Sequence, residues 1–487
     1  MKLGIAKLLL LVTISLFSTG KVLSQSAELS PNIIILIADD VGVNDIGCYG
    51  NSFVDTPNID YLASNGLKFN NAFLTTSSCS PSRISIITGR YPHNTGAAEL
   101  HTEPDVHFSS IASQLKEQGY YTGQAGKWHM GNLLKEGFDQ IFEDREQNGA
   151  GGEKMWIPSL RNRDKNKPFF FWFASYDAHR PWEENTFSYT HEPSQIKVPP
   201  TLIDNDSTRI DLAQYYDEIK RWDYHIGKVV RELKRQEVFD NTLIVIMSDN
   251  GRPFPRDKTR MYDSGLRTPF IVHWPKNIKK AAISNSLISA VDIAPTILDI
   301  CKSDIPETFQ GRSFKGLIEH PGKAFRNYVF GEHNWHDHEA FERMVRTKEY
   351  LYIQNFRPEL PNQGPADAIN SPSFRSLLKA KEQGTITEVQ SDIFLAPRPK
   401  DELYQIKTDS LQTLNLISGK KHSDVRDRLK SILKGWMRET CDNVPKELTK
   451  DWYTRDTGKR IEDNFQIRGD MPGEKNNAER CNAKGAF

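Results

Sequence analysis

Cysteine is scarce in this chain, with five residues among 487. So few thiols exclude a small scaffold held together by disulfides, and an odd count leaves at least one of them unpaired. Cys79 is our candidate for the unpaired thiol. Cys441 and Cys481 lie near the carboxyl terminus and are candidates for a disulfide, with free buried thiols as the alternative.

A net charge is absent as well, because 63 Lys and Arg residues balance 63 Asp and Glu residues. The overall electrostatic field therefore favours no class of partner, and we expect no nucleic-acid binding. An anionic substrate would have to be bound by a local basic pocket.

Apolar runs of the roughly 20 residues that a membrane-spanning helix requires are also missing. A shorter run at residues 8–17 follows Lys2 and Lys7 and leads into small residues up to position 24. This pattern predicts a cleaved signal peptide over residues 1–24, with an uncleaved anchor as the alternative. We expect an exported protein, periplasmic or secreted, with no membrane span after cleavage.

Internal repeats and long low-complexity tracts are missing too, and a length of 487 residues suits a large domain plus a smaller one. Apolar runs at residues 32–37, 168–175 and 241–247 predict buried strands, and residues 207–237 predict a long amphipathic helix. The alternation of strands and helices predicts an α/β fold, with a mostly parallel sheet covered by helices on both faces.

The sequence pattern changes near residue 320. Residues 346–353 and 401–406 predict short antiparallel strands, and residues 424–436 predict a helix. We therefore divide the mature chain into a large domain at residues 25–320 and a smaller α+β domain with an antiparallel sheet at residues 321–487. We expect the polar tail after about Lys450 to be loosely ordered.

Two predicted strands end in pairs of hard oxygen ligands. Asp39 and Asp40 follow the first strand, and Asp249 and Asn250 follow the strand at residues 241–247. Either pair alone is explained by capping of the next element. Together they predict a site for Ca²⁺ or Mg²⁺ at the edge of the sheet where ligands bind in open α/β folds.

The stretch from Ser77 to Arg83 places a lone cysteine, Cys79, before an apolar-periodic run that contains Pro81. This pattern predicts a helix amino terminus, which favours an anion and lowers the pKa of a thiol. A capped surface helix with an inert cysteine is the alternative.

Polar residues also follow other predicted strands and loops. Lys127 and His129 follow a predicted strand near residues 120–123 and are two positions apart, so both can point to one side of an extended backbone. His179 follows the strand at residues 168–175, and Lys258 lies in a basic loop. A solvent-exposed Lys and His pair and a structural histidine are the alternative interpretations.

The string Cys79-x-Pro81-x-Arg83 resembles the signature of type I sulfatases, in which this cysteine is converted to formylglycine by a dedicated maturation enzyme. The other residues occur in the order found in that family: Asp39, Asp40, Lys127, His129, His179, Asp249, Asn250 and Lys258. The resemblance implies an alkaline-phosphatase-like fold, a sulfatase catalytic domain over residues 25–320 and hydrolysis of sulfuric esters.

The resemblance also implies a division of roles. One Ca²⁺ would be bound by Asp39, Asp40, Asp249, Asn250 and the modified residue 79, and the formylglycine hydrate would attack sulfur. Arg83, Lys127 and Lys258 would stabilise negative charge, His179 would protonate the leaving atom, and His129 would be the base for sulfate elimination.

Within the family, residues 248–255 and the segment Trp436-x-x-Glu439-Thr440 look most like the N-sulfoglucosamine sulfohydrolase (sulfamidase) branch. Lys258 stands where that branch has an arginine, as in O-sulfatases generally. Two substrates therefore stay open: N-sulfated glucosamine of a heparan-type glycosaminoglycan, and O-sulfates of an algal polysaccharide such as ulvan.

Two rivals from other classes also stay open. One is a phosphatase or phosphodiesterase of the same superfamily, which would use Ser or Thr and two zinc ions. The other is a carbohydrate-binding relative without activity, in which Cys79 stays a thiol.

A histidine-rich segment at residues 331–338 is our candidate for sugar recognition. We expect His333, His336 and His338, together with His101, to lie on the rim of the catalytic cleft and to contact a sulfated carbohydrate. A transition-metal site and a solvated loop are the alternatives.

Overall fold

Two β-sheets organise the computed structural model, which describes residues 30–183 and 190–487; the predicted signal peptide lies outside the described residues. The strands are β1 (Asn32–Ala38), β2 (Leu67–Phe73), β3 (Tyr121–Gly126), β4 (Gln140–Phe142), β5 (Phe169–Ala174), β6 (Thr242–Ser248), β7 (Phe270–His273), β8 (Ala282–Ser289), β9 (Val329–His336), β10 (His338–Arg346), β11 (Tyr350–Asn355) and β12 (Asp401–Gln405).

Helices occupy much of the remaining chain. They are α1 (Pro57–Ser64), α2 (Cys79–Thr88), α3 (Ile111–Glu117), α4 (Arg145–Asn148), α5 (Trp156–Asn162), α6 (Asp206–Arg235), α7 (Asp263–Leu266), α8 (Ile293–Ile300), α9 (Lys315–Glu319), α10 (Ala366–Ile369), α11 (Pro372–Glu382), α12 (Glu388–Ser391) and α13 (Ser423–Glu439). None of these helices is both long and apolar enough to cross a membrane.

The larger sheet has eight strands in the order β4-β3-β5-β1-β6-β7-β2-β8. All neighbours are parallel except β7, which runs antiparallel to β6 and to β2. The predicted mostly parallel sheet is therefore confirmed. In the central strand β1, Ile33 and Ile35 enter the core on one face, and Ile34 and Leu36 enter the core on the other. Burial on both faces explains why the strand is a continuous apolar run.

Helices cover both faces, as the alternating pattern predicts. Side chains of α2, α3 and α8 pack in one core, and side chains of α1, α5 and α6 pack in the other. Helix α6 corresponds to the predicted long helix. It begins after Asn205, whose side chain accepts a hydrogen bond from the backbone N–H of Thr208 and so caps the helix.

The second sheet is antiparallel, in the order β12-β11-β10-β9, and α13 packs against it through Leu429, Leu433 and Trp436. The strand predicted at residues 346–353 is wrong in its bounds. Strand β10 ends at Arg346, β11 begins at Tyr350, and the N–H of Thr347 donates to the carbonyl of Tyr350 over 2.9 Å. The turn contains no Gly, Pro or Asn, so the sequence carried no strong turn signal.

The tail after Lys450 is packed, contrary to our expectation of loose order. Trp452 is 7% exposed, and its ring lies 4.6 Å from that of Trp335. Arg90 donates to the carbonyls of Glu479 and Cys481. An aromatic contact and hydrogen bonds to its backbone therefore hold the tail on the body of the protein. The Sγ atoms of Cys441 and Cys481 lie 2.6 Å apart, and their pairing stays a prediction.

Gly126 ends β3 at a point where only glycine fits. Its φ is +97°, and a Cβ atom there would lie 1.7 Å from the carbonyl oxygen of Ala174. We expect Gly126→Ala to destabilise the fold by about 3 kcal/mol or more, because the clash involves backbone on both sides. Gly119→Ala is the matched control, since its φ is +86° but no atom lies within 4 Å. The control should cost only about 1 kcal/mol. Equal thermal unfolding midpoints for the two variants would contradict this account.

Candidate active site

Four neighbouring strands bring the predicted site residues to one edge of the sheet. Strands β3, β5, β1 and β6 are adjacent and parallel, so their carboxyl ends meet. Asp39 and Asp40 follow β1, and Asp249 and Asn250 follow β6. The prediction from strand ends is therefore supported by the sheet order.

Cys79 is the first residue of α2 and is 2% exposed. Its Sγ atom lies 3.5 Å from Oδ1 of Asp39 and 3.9 Å from Oδ1 of Asp40. The preceding residue, Ser78, has its hydroxyl 2.8 Å from Nδ1 of His336. The helix amino terminus is thus fixed with the cysteine facing the acidic side chains.

The acidic side chains form one buried cluster. Ligand atoms of Asp39, Asp40, Asp249 and Cys79 all lie within 4.8 Å of one another. Asn250 donates from Nδ2 to Asp40, while its Oδ1 atom is buried and has no hydrogen-bond partner among the described residues. Buried polar atoms rarely stay unpaired, so this oxygen fits a ligand for a bound group. Several hard oxygens around one point suit a Ca²⁺ or Mg²⁺ ion.

Three basic side chains balance the cluster. Nε of Arg83 donates to Oδ2 of Asp249 over 2.6 Å, and Nζ of Lys258 donates to Oδ2 of Asp40 over 2.6 Å. Lys127 donates to Asp39. Nη2 of Arg83 lies 3.7 Å from Asp39 and has no hydrogen-bond partner among residues 30–183 and 190–487. Positive charge is therefore held close to the cysteine and the carboxylates.

Burial dominates the pKa values of the acids. It raises the pKa of Asp40 to about 7 against the attraction of Lys258, and that of Asp249 to about 6 against Arg83. Burial also opposes ionisation of Asp39, but Lys127, His179 and Arg83 bring its pKa well below the usual value. Three buried carboxylates in contact repel one another, and a bound cation would relieve this repulsion.

The pKa of the Cys79 thiol is raised well above its usual value, so our expectation of a lowered pKa is wrong. Burial is the main cause, and Asp39 and Asp249 add to it. The nearby amines of Lys127 and Lys258 act in the opposite direction but do not prevail. At neutral pH the thiol is protonated and a poor nucleophile.

Two histidines form a hydrogen-bonded pair on one wall. Nδ1 of His101 lies 2.8 Å from Nε2 of His129, and Nδ1 of His129 is buried without a partner among the described residues. Burial, with Arg468 and Lys127, lowers the pKa of His101 to about 4. Burial and Lys127 lower the pKa of His129 well below its usual value.

His179 lies on another wall, between two carboxylates. Its Nε2 atom is 3.7 Å from Oδ2 of Asp367 and 3.9 Å from Oδ2 of Asp40, and its Nδ1 atom contacts the carbonyl of Arg180. Because that carbonyl only accepts, Nδ1 carries a proton and Nε2 faces the site. Burial and Lys258 lower the pKa of His179 to about 4.

These groups line a cavity of about 550 Å³. Of the sequence-predicted residues, it brings together Asp39, Cys79, His101, Lys127, His129, His179 and His336. Sequence reasoning did not assign a role to the other polar residues of the lining, which are Arg145, Tyr176, Arg180, Asp337, Asp367, Asn370 and Tyr453. Asp367 and Tyr453 come from the second half of the chain, where no strand-end pattern marked them.

The histidine-rich segment is strand and not a solvated loop, and our expectation that it lies on the rim of the cleft is wrong for His333 and His338. Residues 331–336 lie within the buried strand β9, and His338 begins β10. Only His336 of the three reaches the main cavity; His333 and His338 line a separate small cavity. The sequence did not show the alternation of apolar and polar residues that marks a strand, because polar histidines occupy buried positions here.

Comparisons with known proteins agree with this arrangement. Residues 31–303 match the Sulfatase family, and residues 254–373 match the carboxyl-terminal domain of N-sulphoglucosamine sulphohydrolase. Ulvan-active sulfatase of Formosa agariphila is 30% identical over 474 residues, which cover 94% of this chain and 90% of that protein. Human N-sulphoglucosamine sulphohydrolase is 30% identical over 461 residues, which cover 84% of this chain and 90% of that protein.

Solved structures share the fold. A protein in complex with its substrate D-glucosamine-2-N,6-O-disulfate has a TM-score of 0.66 and 20% identity, covering 84% of this chain and 98% of its own. Phosphonate monoester hydrolase of Agrobacterium radiobacter has a TM-score of 0.65 and 17% identity, covering 85% of this chain and 98% of its own. The expected alkaline-phosphatase-like architecture is confirmed, and at these identities the likeness concerns the fold alone.

The pair of His101 and His129 gives a measurable pH dependence. We expect the His101 ring to be neutral at pH 6 and to take up a proton only near pH 4, because burial and nearby cations oppose its charge. An unfolded histidine is protonated near pH 6.5, so stability should fall as the pH drops from about 6.5 towards 4. In His101→Asn this fall should be smaller. Ring ¹⁵N NMR is the measurement, and an imidazolium signal for His101 at pH 6 would contradict the expectation.

Proposed function

Since this chain belongs to the sulfatase family, we propose that it removes sulfate groups from a sulfated saccharide by chemistry at residue 79. One observation carries the proposal: Cys79 lines a polar cavity, and its side chain lies among three carboxylates, each of which accepts a hydrogen bond from a basic side chain. The chain is a sulfuric ester hydrolase, and the proposal concerns its mechanism and substrate.

We propose that a maturation enzyme converts Cys79 to formylglycine. A buried, protonated thiol is a poor nucleophile, and sulfur is a soft ligand among hard oxygens. An oxygen-bearing side chain at this position would suit both the cluster and the reaction. The hydrated aldehyde supplies two hydroxyl groups, one for attack on sulfur and one for the later release of sulfate.

The residues present fit one Ca²⁺. Asp39, Asp40, Asp249 and Asn250 would hold it, and the Oδ1 atom of Asn250, which finds no partner within the described ranges, supports this assignment. When bound, the ion would lower the pKa of the nucleophile and neutralise charge on the sulfate oxygens.

Arg83, Lys127 and Lys258 would stabilise the negative charge that grows during transfer. Their nitrogen atoms already lie against the carboxylates beside Cys79, so they need no long movement to contact sulfate. Fixed charge in a buried site stabilises a transition state more than the same charge in water.

His179 would protonate the leaving oxygen or nitrogen. Nε2 is the nitrogen free to exchange a proton, because Nδ1 is bonded to the carbonyl of Arg180. Burial and Lys258 lower the pKa of His179 to about 4; the carboxylate of Asp367 acts in the opposite direction, and a bound sulfate group would also favour the protonated ring.

His129 would be the base for sulfate elimination. Its Nδ1 atom has no hydrogen-bond partner in the described part of the chain, and its Nε2 atom is held by His101. We therefore assign His101 the role of positioning residue for His129, in addition to any contact with the substrate.

A sulfated saccharide suits the cavity because its walls offer hydrogen-bonding groups for hydroxyls, including Asp337, Asp367 and Asn370. Two substrates have separate support. The match of residues 254–373 and the human relative favour N-sulfated glucosamine, whereas Lys258 and the ulvan-active relative favour O-sulfates. His336 is retained as a substrate contact, and His333 and His338 are not, because they lie in another cavity.

We also propose export to the periplasm or the medium, as the sequence pattern at residues 1–24 suggests. The domain division at residue 320 stays a proposal. The catalytic cavity is lined by residues on both sides of that boundary, such as Cys79 and Asp367, so both parts would be needed for activity.

Modification of Cys79 is the first test. In protein produced together with a formylglycine-generating enzyme, peptide mass spectrometry should show loss of sulfur and gain of an aldehyde. Cys79→Ala should lower turnover by at least about a thousandfold, with an unchanged thermal unfolding midpoint. Fully active protein that contains only cysteine at position 79 would reject the mechanism.

Calcium binding is the second test. Asp249→Ala removes one carboxylate, and we expect Ca²⁺ affinity and activity to fall together by at least about tenfold. Isothermal titration after chelation measures the affinity. Asp45→Asn is the control, because this buried carboxylate bonds Tyr215 and lies outside the cluster. Full activity of chelated Asp249→Ala would show that the ligand assignment is wrong.

Substrate class is the third test. Desalted N-sulfated glucosamine and O-sulfated ulvan oligosaccharides are compared for release of free sulfate, with Cys79→Ala as the blank and an aryl phosphate as a competitor. We expect sulfate release from one saccharide class at a rate above phosphate release. Release from O-sulfated sugars alone would reject the sulfamidase alternative. Faster hydrolysis of the phosphate would overturn the proposed function.

A further inference from the structure

A second cavity, of about 500 Å³, lies between α5 and the carboxyl-terminal half of α6. It shares no lining residue with the catalytic cavity. Five of its lining side chains are cations, which we call the basic groove: Lys154, Arg161, Lys228, Arg231 and Arg235. Nothing in the proposed reaction uses them.

Positive charge in the basic groove is largely uncompensated. Of its two lining carboxyl groups, Glu232 is buried and pairs with Arg161 and Arg235. Within residues 30–183 and 190–487, Lys154 and Arg231 make no ion pair. The other lining carboxyl, Glu153, is buried and accepts from the hydroxyl of Ser175; burial, with Asp177, raises its pKa well above the usual value. Glu153 therefore ionises less readily than an exposed carboxyl group, and its side chain is directed to Ser175 and not to the cations.

The cations are arranged along a line. Lys228, Arg231 and Arg235 are spaced by three and four residues, so they share one face of α6. Seven residues of helix span about 10 Å. Tyr224, which is 43% exposed, lies beside them with its ring 4.5 Å from Nζ of Lys228. A row of cations with an exposed ring suits an extended anionic chain better than a single small anion.

The groove lies close to the catalytic cavity along the chain. Tyr176 lines the catalytic cavity, and its N–H donates to the carbonyl of Gly151 over 2.8 Å. Glu153 and Lys154, which follow that glycine, line the groove. The segment that lines the groove is therefore hydrogen-bonded to a residue that lines the catalytic cavity.

We propose that the basic groove binds the chain of a sulfated polysaccharide outside the catalytic cavity and so holds the polymer near the enzyme. This inference rests on the proposed function, because it takes the substrate to be a sulfated carbohydrate. Several weak ionic contacts along one chain add up, and a second attachment raises the local concentration of cleavable ends.

The test uses long-chain dextran sulfate and full-length protein carrying Cys79→Ala, which binds without turnover. The groove variant is Lys154→Gln, Lys228→Gln and Arg231→Gln. The control is Lys279→Gln, Lys280→Gln and Lys323→Gln, which removes the same charge from exposed lysines elsewhere. We expect the groove variant to bind dextran sulfate about tenfold more weakly at low salt, with a shallower dependence on salt, and the control to stay within twofold of the parent.

Equal affinity of the groove variant and the control would overturn the proposal and leave the groove a solvated helix face. With residue 79 intact, hydrolysis of a small aryl sulfate should be unchanged by the groove substitutions. Absence of any sulfate release by the unsubstituted enzyme would instead defeat the proposed function, while dextran sulfate binding would still report on the groove. Arg231→Gln alone is tested in parallel, and it should weaken binding in the same direction if the triple variant does not fold.

Discussion

Burial of three carboxylates at one point is the constraint on which the rest of this structure depends. Asp39, Asp40 and Asp249 lie beside one another with almost no access to water. Such a cluster is unstable alone, since ionised carboxylates in a medium of low dielectric lose hydration and repel one another. Arg83, Lys127 and Lys258 reach the cluster from three separate elements and compensate for this cost. The fold must therefore hold these distant segments together.

The sheet topology meets this demand. Parallel strands β1 and β6 are neighbours, so the residues that follow them lie side by side. The N–H of Asp40 donates to the carboxylate of Asp249, although 209 positions separate the two residues in the sequence. Helix α2 brings two more side chains to this cluster of carboxylates, Cys79 from its first turn and Arg83 from its second. Gly126 permits β3 to approach β5 closely, which carries Lys127 into range of Asp39. Catalytic geometry and core packing are thus properties of the same strand order.

Local patterns explain how much of the site the sequence predicts. A buried strand followed by two acids is visible in a few residues, so Asp39, Asp40, Asp249 and Asn250 were found. Asp367 was not, because it approaches His179 from a short helix, α10, whose position depends on tertiary packing. The burial of His333 was also missed, since strand β9 has polar residues at buried positions and so lacks the usual alternation of apolar and polar residues. The raised pKa of Cys79 was also missed, because burial depends on segments that are distant in the sequence. Its effect on the pKa outweighs that of the helix amino terminus, which the local pattern does show.

The net charge of the chain is zero, but positive and negative side chains are unevenly distributed over its surface. In physiological salt, exposed charges act over about 8 Å, so an approaching anion responds to the nearest groups and not to the total. The catalytic cavity is lined by acids and bases together, which favours a substrate that has both anionic groups and hydroxyls. The groove between α5 and α6 is lined by five cations and two carboxyl groups, and burial raises the pKa of one of these, Glu153. As proposed, the groove would attract a polyanion on one face and the cavity would discriminate between sugars, because the two tasks would use separate groups.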